Sequence, residues 1–223
     1  MKGRFRSVEQ IIEEHVHRWQ LSRHREEVKQ PQPPVVTLSR EPGSGGRIIA
    51  EGLAETYGLS IFHQEVIHDM AQSAKVSKVL LETLDEKGIS MVEDWISAAI
   101  RERHLWPDEY LQHLMKVIGT IGKHGAAVII GRGANFILPP EGRFRVRVIA
   151  PIKTRIERVA REFDVPPEKA KNRIIRTESN RRAFIRKYFN SDIDDPLNYD
   201  IVINTGTLSI EQAVKTIGNL LEL

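Results

Sequence analysis

The start of the chain carries apolar residues at the spacing of an amphipathic helix over residues 1 to about 30. They recur at steps of three and four, at Val8, Ile11, Ile12, Val16 and Trp19. Charged residues and histidines fill the other faces, and the prolines of PQPP at 31–34 break the helix and form a stiff linker. A lone amphipathic helix must bury its apolar stripe. We expect it to pack on its own domain, and a homodimer contact is the alternative.

Beyond the linker, short apolar runs alternate with helical patterns. The apolar runs predict buried strands at 35–39, 59–62, 127–130, 144–150 and 201–204. The helical patterns include a largely helical insertion over about 65–124, divided near Gly88 and at Trp106, then 153–163, 167–187 and a last helix from Ser209, whose capping box uses Gln212. Strands separated by helices predict an α/β domain over 34–223, with a mostly parallel sheet flanked by helices and residues 1–33 appended.

The composition narrows the classes of function. Hydrophobic residues make up 40% of the chain and charged residues 28%, which is typical of a globular domain with a sizeable core. No apolar run reaches the roughly eighteen residues of a transmembrane helix, and the absence of cysteine excludes disulfides, thiol chemistry and Cys-based zinc sites. The net charge of +3 permits an anionic ligand without requiring nucleic acid. We expect a cytoplasmic protein with no membrane partner.

A glycine-rich loop joins the first predicted strand to a helix. Its residues are Gly43, Ser44, Gly45, Gly46 and Arg47. In a strand–loop–helix unit the backbone N–H groups point into one cavity, glycines let a phosphate approach closely, and an arginine adds a charge-assisted contact. The standard phosphate loop, G-x-x-x-x-G-K-[ST], has glycine in place of Glu41, lysine in place of Arg47 and a hydroxyl in place of Ile48. A plain glycine turn beside an exposed arginine is the alternative interpretation.

Two further basic segments are candidates for phosphate binding. Arg132 lies in Gly131-Arg132-Gly133-Ala134-Asn135, directly after the predicted strand 127–130. Ligands of open α/β sheets bind at this carboxyl edge. The second segment is a basic helix with Arg173, Arg176, Arg181, Arg182, Arg186 and Lys187. Such arginines can close over a transferring phosphoryl group, whereas a surface ion pair for Arg132 and a solvated helix face are the plainer readings.

These segments, in this order, resemble the cytidylate kinase-like family, a branch of the P-loop nucleoside monophosphate kinases. The similarity covers roughly residues 35 to 223. It rests on five segments: Leu38-Ser39-Arg40-Glu41 with the glycine loop, Phe62-His63-Gln64-Glu65, Val128 to Asn135, Glu178 to Phe189, and Tyr199 to Ser209. The resemblance implies a three-layer P-loop kinase fold with helical segments for the acceptor and a lid over about 165–190.

The resemblance also implies roles for individual residues. The loop from Gly43 to Arg47, with Ile48, would bind the β- and γ-phosphates of ATP. The turn of Thr205 to Leu208, with Thr207, would lie near the adenine. Arg132 would bind the phosphate of the acceptor, with Asn135 and His63 near its base or sugar, and Arg181 and Arg186 would close from the lid onto the transferring group. ATP and Mg²⁺ are the implied cofactors, and no protein metal ligand is assigned.

Some positions depart from the family pattern. Ile48 has no oxygen for magnesium, Ile130 stands where well-studied cytidylate kinases carry an aspartate, and His63 and Asn135 replace carboxylates that would recognise the acceptor. The first hypothesis is a kinase that transfers the ATP γ-phosphate to a nucleoside monophosphate such as CMP. The alternative is a non-catalytic nucleotide- or phosphate-sensing module that acts through its N-terminal helix. A third is a nucleic-acid binder using helix 173–187, although lid packing explains the aromatic residues there better.

Overall fold

The computed structural model describes residues 8–23 and 35–221. The strands are β1 Val35–Arg40, β2 Ser60–Phe62, β3 Ala127–Ile130, β4 Arg143–Ile149 and β5 Ile201–Asn204. The α-helices are α1 Val8–Arg23, α2 Gly46–Tyr57, α3 Gln64–Ala71, α4 Ala74–Leu81, α5 Glu86–Arg103, α6 Glu109–His124, α7 Ala134–Ile137, α8 Ile152–Phe163, α9 Pro167–Phe189 and α10 Ile210–Leu220, and Pro196–Asn198 forms a 3₁₀ turn. None of the helices within these ranges is long and apolar enough to cross a membrane.

The five strands form one parallel sheet in the order β2-β3-β1-β4-β5. The central strand β1 pairs with β3 on one side and β4 on the other, so that Val36 lies opposite both Val128 and Phe144. Because the strands are parallel, the loops after β1, β2, β3 and β4 meet at one edge of the sheet. The segments of the resemblance that follow β1, β2 and β3 lie at this edge.

Helices cover both faces of the sheet and give the fold three layers. Side chains alternate along β3, so that Ala127 and Ile129 pack under α3, α6 and α7 while Val128 and Ile130 pack under α2 and α10. Each face buries its own apolar cluster, which explains why β3 is apolar at every position. The strand β4 differs, because it alternates arginines with apolar residues. The predicted α/β fold, with a parallel sheet between two layers of helices, is confirmed.

The N-terminal helix α1 packs on the α/β domain itself. Trp19 is 7% exposed, and its ring stacks on that of His124 with centroids 4.1 Å apart. His15 is also buried, and its ring lies 4.4 Å from that of Phe62 at the end of β2. Ile12, Val16 and Trp19 of the apolar stripe therefore pack on the core of the same chain, as the simpler interpretation expected. The predicted helical residues 1–7 and 24–30 and the linker 31–34 lie outside the described ranges.

Several boundaries differ from the sequence prediction. The helical insertion consists of α3 to α6, and the break expected near Gly88 falls at 82–85 instead. Asp85 causes the shift, because its carboxylate accepts a 2.7 Å hydrogen bond from the Gly88 N–H and caps α5. The short helix α7 was not predicted. At the start of α10 the capping box between Ser209 and Gln212 is present as predicted.

Candidate active site

The glycine-rich loop between β1 and α2 adopts a conformation that requires its glycines. Gly43 and Gly45 have φ of 78° and 81°, in the left-handed region. A Cβ on Gly43 would lie 2.7 Å from the Arg155 carbonyl oxygen, and one on Gly45 would lie 2.6 Å from Ile210 Cδ1. The loop therefore packs tightly on α8 and α10, while the N-terminus of α2 opens toward a cavity. This is the geometry that a phosphate-binding loop needs.

Ser44 and Thr205, which were predicted to bind phosphate or ATP, instead hold the loop in its conformation through hydrogen bonds. The Ser44 hydroxyl donates to the Glu41 carbonyl at 2.9 Å, and the Thr205 hydroxyl donates to the Ser44 carbonyl at 2.6 Å. Both residues are buried and neither lines the cavity. Thr207 also lies away from it, because its hydroxyl bonds the Asn204 carbonyl in its own turn at 3.1 Å. The structure thus places Ser44 and Thr205 as loop supports.

Glu41, which stands where the standard loop has its first glycine, connects the loop to the lid. Its carboxylate accepts a 3.0 Å hydrogen bond from the Ala150 N–H and lies 3.3 Å from Arg155 Nε. Arg155 Nη1 in turn lies 2.5 Å from a carboxylate oxygen of Glu178 on α9. One buried arginine therefore joins the phosphate loop, α8 and the lid helix. Sequence reasoning missed this link, because it depends on a contact between residues far apart in the chain.

A cavity of about 700 Å³ opens above the glycine loop, and we call it the donor cavity. Arg47 and Ile48 line it as predicted, with Ile48 57% exposed. The Arg47 guanidinium pairs with Glu51 one helical turn away at 3.0 Å. Such an exposed ion pair contributes little to the stability of the fold, on the order of 0.5 kcal/mol. A phosphate can therefore readily replace Glu51 as the partner of Arg47.

A second cavity, of about 350 Å³, lies on the other side of Arg40, and we call it the acceptor cavity. Arg132 and Asn135 both line it, as predicted for residues that meet an acceptor. Its walls combine basic, amide, hydroxyl and aromatic side chains: Arg40, Arg132, Arg181, Asn135, Asn180, Thr177, Ser39, Phe184 and Tyr199. A phosphate at the arginines with a planar polar ring beside the aromatic and amide groups would suit this lining.

His63 does not join Arg132 and Asn135. It precedes α3 and lines the donor cavity instead, so the structure does not bring it to the predicted acceptor group. Burial and the charge of Arg47 lower the pKa of His63, which keeps its ring neutral at pH 7. Its neighbour Gln64 lines both cavities and takes the place at the acceptor side that was predicted for His63.

Arg132 is held in a strained backbone conformation. Gly131, Arg132 and Gly133 have φ of 75°, 54° and 70° in succession, and only the middle one is not glycine. The left-handed region is unfavourable for a side chain with a Cβ, and residues kept there are frequent at functional sites. The strain directs the guanidinium over the Phe184 ring, 5.2 Å from its centroid, with Nε 3.4 Å from the Gln64 carbonyl.

Three arginines at the junction of the cavities have neutral partners. Arg40 donates to the Gln64 side-chain carbonyl at 2.8 Å, Arg181 donates to the Arg40 backbone carbonyl at 2.7 Å, and Arg132 bonds the Gln64 carbonyl. Within the described residues none of the three forms an ion pair, whereas the nearby buried Arg147 and Arg155 do. These arginines therefore have no carboxylate in ion-pair contact within the described residues, although Glu65 lies close enough to stabilise the charges of Arg40 and Arg181 in part.

The electrostatics of this cluster favour an anion. Burial, and then the charge of Arg181, lower the pKa of Arg40 to about 9, while Glu65 opposes the shift. Burial and the charge of Arg147 likewise lower the pKa of Arg181 to about 10. Both side chains remain charged at pH 7, and their charged forms are destabilised by confinement beside each other. A phosphate at the junction would relieve this repulsion and form several charge-assisted hydrogen bonds.

The lid helix α9 turns one face toward both cavities. Arg173, Thr177 and Arg181 are spaced four residues apart on this face. Arg186 is five residues beyond Arg181, about 140° further around the helix at the 3.6-residue period, and it lies on the outer surface. The structure therefore brings Arg181 to the junction and does not bring Arg186 there.

The site fits ATP better than it fits a protein-bound metal. The donor cavity combines the glycine loop with basic residues, which suits a chain of phosphates. In the described part of the chain, no group of three or more His, Asp or Glu side chains could hold a metal ion. Mg²⁺ often has only one or two carboxylate ligands and otherwise binds water and substrate phosphates. A Mg²⁺ ion that came with a nucleotide would need few ligands from the protein.

A parallel sheet in this strand order, with a glycine loop after its central strand and an arginine-bearing lid helix, defines a P-loop kinase. The chain belongs to the cytidylate kinase-like family, because the sequence profile of that family matches residues 35–207. The resemblance inferred from the sequence is thereby confirmed.

Proteins named cytidylate kinase are similar to this chain along most of its length. That of Pyrococcus horikoshii is 30% identical over 177 residues, covering 79% of this chain and 82% of that protein. That of Ignicoccus hospitalis is 25% identical over 187 residues, covering 84% and 98%. A crystal structure of an uncharacterized protein from Eubacterium ventriosum superposes with a TM-score of 0.60 at 19% identity, covering 85% of this chain and 98% of that one, which supports the fold.

Proposed function

We propose that the protein transfers the γ-phosphate of ATP to a nucleoside monophosphate, with CMP as the first acceptor to test. The observation that carries the proposal is the meeting of two cavities at Arg40 and Arg181. One cavity opens on the glycine loop, and the other contains Arg132. A phosphate donor and a phosphate acceptor held in these cavities would face each other across the two arginines.

On the donor side, the backbone of the glycine loop and Arg47 would hold the β- and γ-phosphates. Mg²⁺ bound with ATP would neutralise phosphate charge and lower the electrostatic barrier to attack. Ile48 would contribute its backbone N–H at the start of α2, since its side chain has no polar atom. Support for this arrangement comes from the left-handed Gly43 and Gly45, which let the loop approach a phosphate closely.

On the acceptor side, Arg132 would bind the phosphate of the nucleoside monophosphate. Asn135 is 7% exposed, and its side-chain N–H₂ lies 3.4 Å from the Asn198 carbonyl. Its side-chain oxygen is then left to accept a hydrogen bond from a base, such as the exocyclic amine of cytosine. An amide oxygen at this position can accept a hydrogen bond from the base, as a carboxylate oxygen would. Asn135 in place of a carboxylate is therefore compatible with CMP as the acceptor.

The transfer itself needs positioning and charge stabilisation more than covalent help. An oxygen of the acceptor phosphate would attack the γ-phosphorus while the bond to the β,γ-bridging oxygen breaks, leaving ADP and a nucleoside diphosphate. Negative charge spreads over the equatorial oxygens during this step. Arg40 and Arg181 would stabilise it because they already stand at the junction without carboxylate partners. The sensing alternative gains no comparable support, since binding alone does not need a second cavity beyond the donor phosphates.

The direct test is ADP production from Mg-ATP by the purified protein with CMP, dCMP, UMP, AMP, GMP and no acceptor. We expect acceptor-dependent ADP that Arg132→Ala abolishes. Arg176→Ala is a matched control, because Arg176 is an exposed arginine of α9 that lines neither cavity. Absence of acceptor-dependent ADP from a folded protein that binds ATP would overturn the proposal and favour the sensing role.

A further inference from the structure

Three carboxylates line the donor cavity, and they differ in what surrounds them. Glu41 is committed to Arg155 and to the Ala150 N–H. Glu162 is exposed at the end of α8, beside Phe163. Glu65 is in the first turn of α3, directly after Gln64, which lines both cavities. It is the carboxylate placed near the junction.

Within the described residues Glu65 forms no ion pair, and its carboxylate lies in the first turn of α3 beside Gln64. The Gln64 side-chain N–H₂ donates to the Glu65 carboxylate at 2.8 Å. The Glu65 carboxylate thus lies near the junction of the two cavities. The rest of the donor cavity favours anions.

Gln64 separates this carboxylate from the nearest arginine. Its side-chain oxygen accepts from Arg40 at 2.8 Å while its side-chain nitrogen donates to Glu65. The orientation of the amide is fixed by chemistry, because a guanidinium only donates and a carboxylate only accepts. The amide therefore keeps Glu65 from neutralising Arg40, so that each charge remains available to a ligand.

The phosphate loop supplies no side-chain oxygen that could replace Glu65. Ile48 occupies the position of the usual hydroxyl, and the Ser44 hydroxyl is committed to the Glu41 carbonyl. A magnesium ion held by nucleotide phosphates and water needs only one or two carboxylates from the protein. An unpaired carboxylate at the junction satisfies this requirement.

We propose that Glu65 is the side chain that holds the Mg²⁺ of bound Mg-ATP, with Gln64 as its positioning residue. The proposal rests on the proposed function, since it requires ATP in the donor cavity. It explains how the chain manages without a hydroxyl at position 48. It also assigns a purpose to a negative charge in a cavity for anions, where an unused carboxylate would only repel the phosphates.

The test compares nucleotide binding with and without metal. Calorimetric titrations with ATP in excess Mg²⁺ and with ATP in EDTA are made on the full chain and on Glu65→Gln, Glu65→Asp and Glu162→Gln. We expect Glu65→Gln to weaken Mg-ATP about tenfold or more, in the range of losses known for residues that support metal sites. Metal-free ATP should bind Glu65→Gln as tightly as the wild type or more tightly, because a repulsive charge is gone. Glu162→Gln should keep the metal preference of the wild type, and Glu65→Asp should retain a part of it.

A metal readout independent of turnover completes the test. Electron paramagnetic resonance of Mn²⁺ in the presence of ATP should show weaker metal binding to the complex with Glu65→Gln. Equal weakening of ATP with and without metal would mean that Glu65 acts only on Arg40, and an unchanged metal preference would exclude it as a ligand. Either result overturns the proposal while leaving the kinase function standing. Failure of the wild type to bind ATP at all would overturn both, and thermal unfolding shows whether each variant is folded.

Discussion

The guanidinium of Arg181 on the lid helix donates a 2.7 Å hydrogen bond to the backbone carbonyl of Arg40, the last residue of the central strand. This bond spans the partition between the donor and acceptor cavities. It places a lid arginine at the carboxyl end of β1 while leaving other N–H groups of the same guanidinium for a ligand. The lid helix thus contacts the sheet edge, and this contact brings Arg181 and Arg40 together without an intervening carboxylate.

The first prediction concerns Arg181 itself. Arg181→Met should lower kcat by about 10²- to 10³-fold, because it removes a donor aimed at charge that develops during transfer. Steady-state kinetics with the best acceptor would measure this loss, and Arg176→Met on the exposed side of α9 should retain wild-type kcat. Arg186→Met tests the role that the family resemblance implies. A loss as large as that of Arg181→Met would mean that α9 rotates during catalysis.

The buried link from the phosphate loop to the lid should be important for stability. Arg155→Met leaves Glu41 and Glu178 facing each other without their shared cation. We expect the free energy of unfolding to fall by about 3 kcal/mol, as in other buried pairs that lose one partner. Urea denaturation gives this value. Arg145→Met, which breaks the more exposed pair with Asp200, should cost clearly less, and equal losses would argue against a special role for Arg155.

Alanine substitutions at two glycines should distinguish the loss of stability caused by backbone strain from the loss caused by a steric clash. Gly133 and Gly142 have similar φ, 70° and 78°, but a Cβ on Gly133 would overlap the ring of Phe189, while one on Gly142 meets nothing within 4 Å. Gly142→Ala should therefore cost about 1 kcal/mol from the left-handed conformation alone. Gly133→Ala should cost about 2 kcal/mol more from overpacking. Thermal unfolding of the two variants compares them, and equal losses would mean that Phe189 moves aside freely.

The buried His15 should make the protein sensitive to acid. Burial, and then the charge of Arg18, lower its pKa to about 4, although Glu14 opposes the shift, and its Nδ1 has no hydrogen-bond partner. The unfolded chain therefore takes up this proton near pH 6.5 and the folded chain only near 4. Stability is complete above pH 6.5 and falls as the pH drops toward 4, by on the order of 2 kcal/mol.

Denaturation as a function of pH would test this assignment. His15→Leu should flatten the curve between pH 6.5 and 4, whereas His17→Leu, at an exposed position of the same helix, should leave the slope unchanged. A slope that His15→Leu does not alter would show that other groups determine it. His63 and His68, whose pKa values are also lowered, would be the next to examine.

Much of the fold could be read from the sequence, because strands that are buried on both faces, such as β3 and most of β1, are rich in apolar residues. The runs at 35–39 and 127–130 identified β1 and β3 within one residue at either end. Helix ends were harder to place. A single hydrogen bond to Asp85 sets the position where α5 begins. Helix ends a residue or two apart differ little in energy, so a sequence pattern locates them less well than it locates the helix itself.

The candidate site was predicted in part. Arg47, Arg132, Arg181 and Asn135 follow strands or occupy the lid, so their places at the sheet edge follow from the parallel topology. His63 and Arg186 were assigned to groups that the structure does not bring together. Gln64, next to His63, and Arg181, five residues before Arg186, lie where those two residues were expected. The direction in which a side chain leaves its helix determines which residue of each pair reaches the site.

The sequence by itself determined the class of fold, the glycine-rich loop after β1 and the family, since these depend on local patterns along the chain. Only the tertiary structure decided which arginines are free to bind an anion. Arg147 and Arg155 are as basic in sequence as Arg40 and Arg181, but their carboxylate partners come from distant segments. The balance of charge at a site depends on contacts across the fold, because a Coulomb interaction is governed by distance in space and by burial.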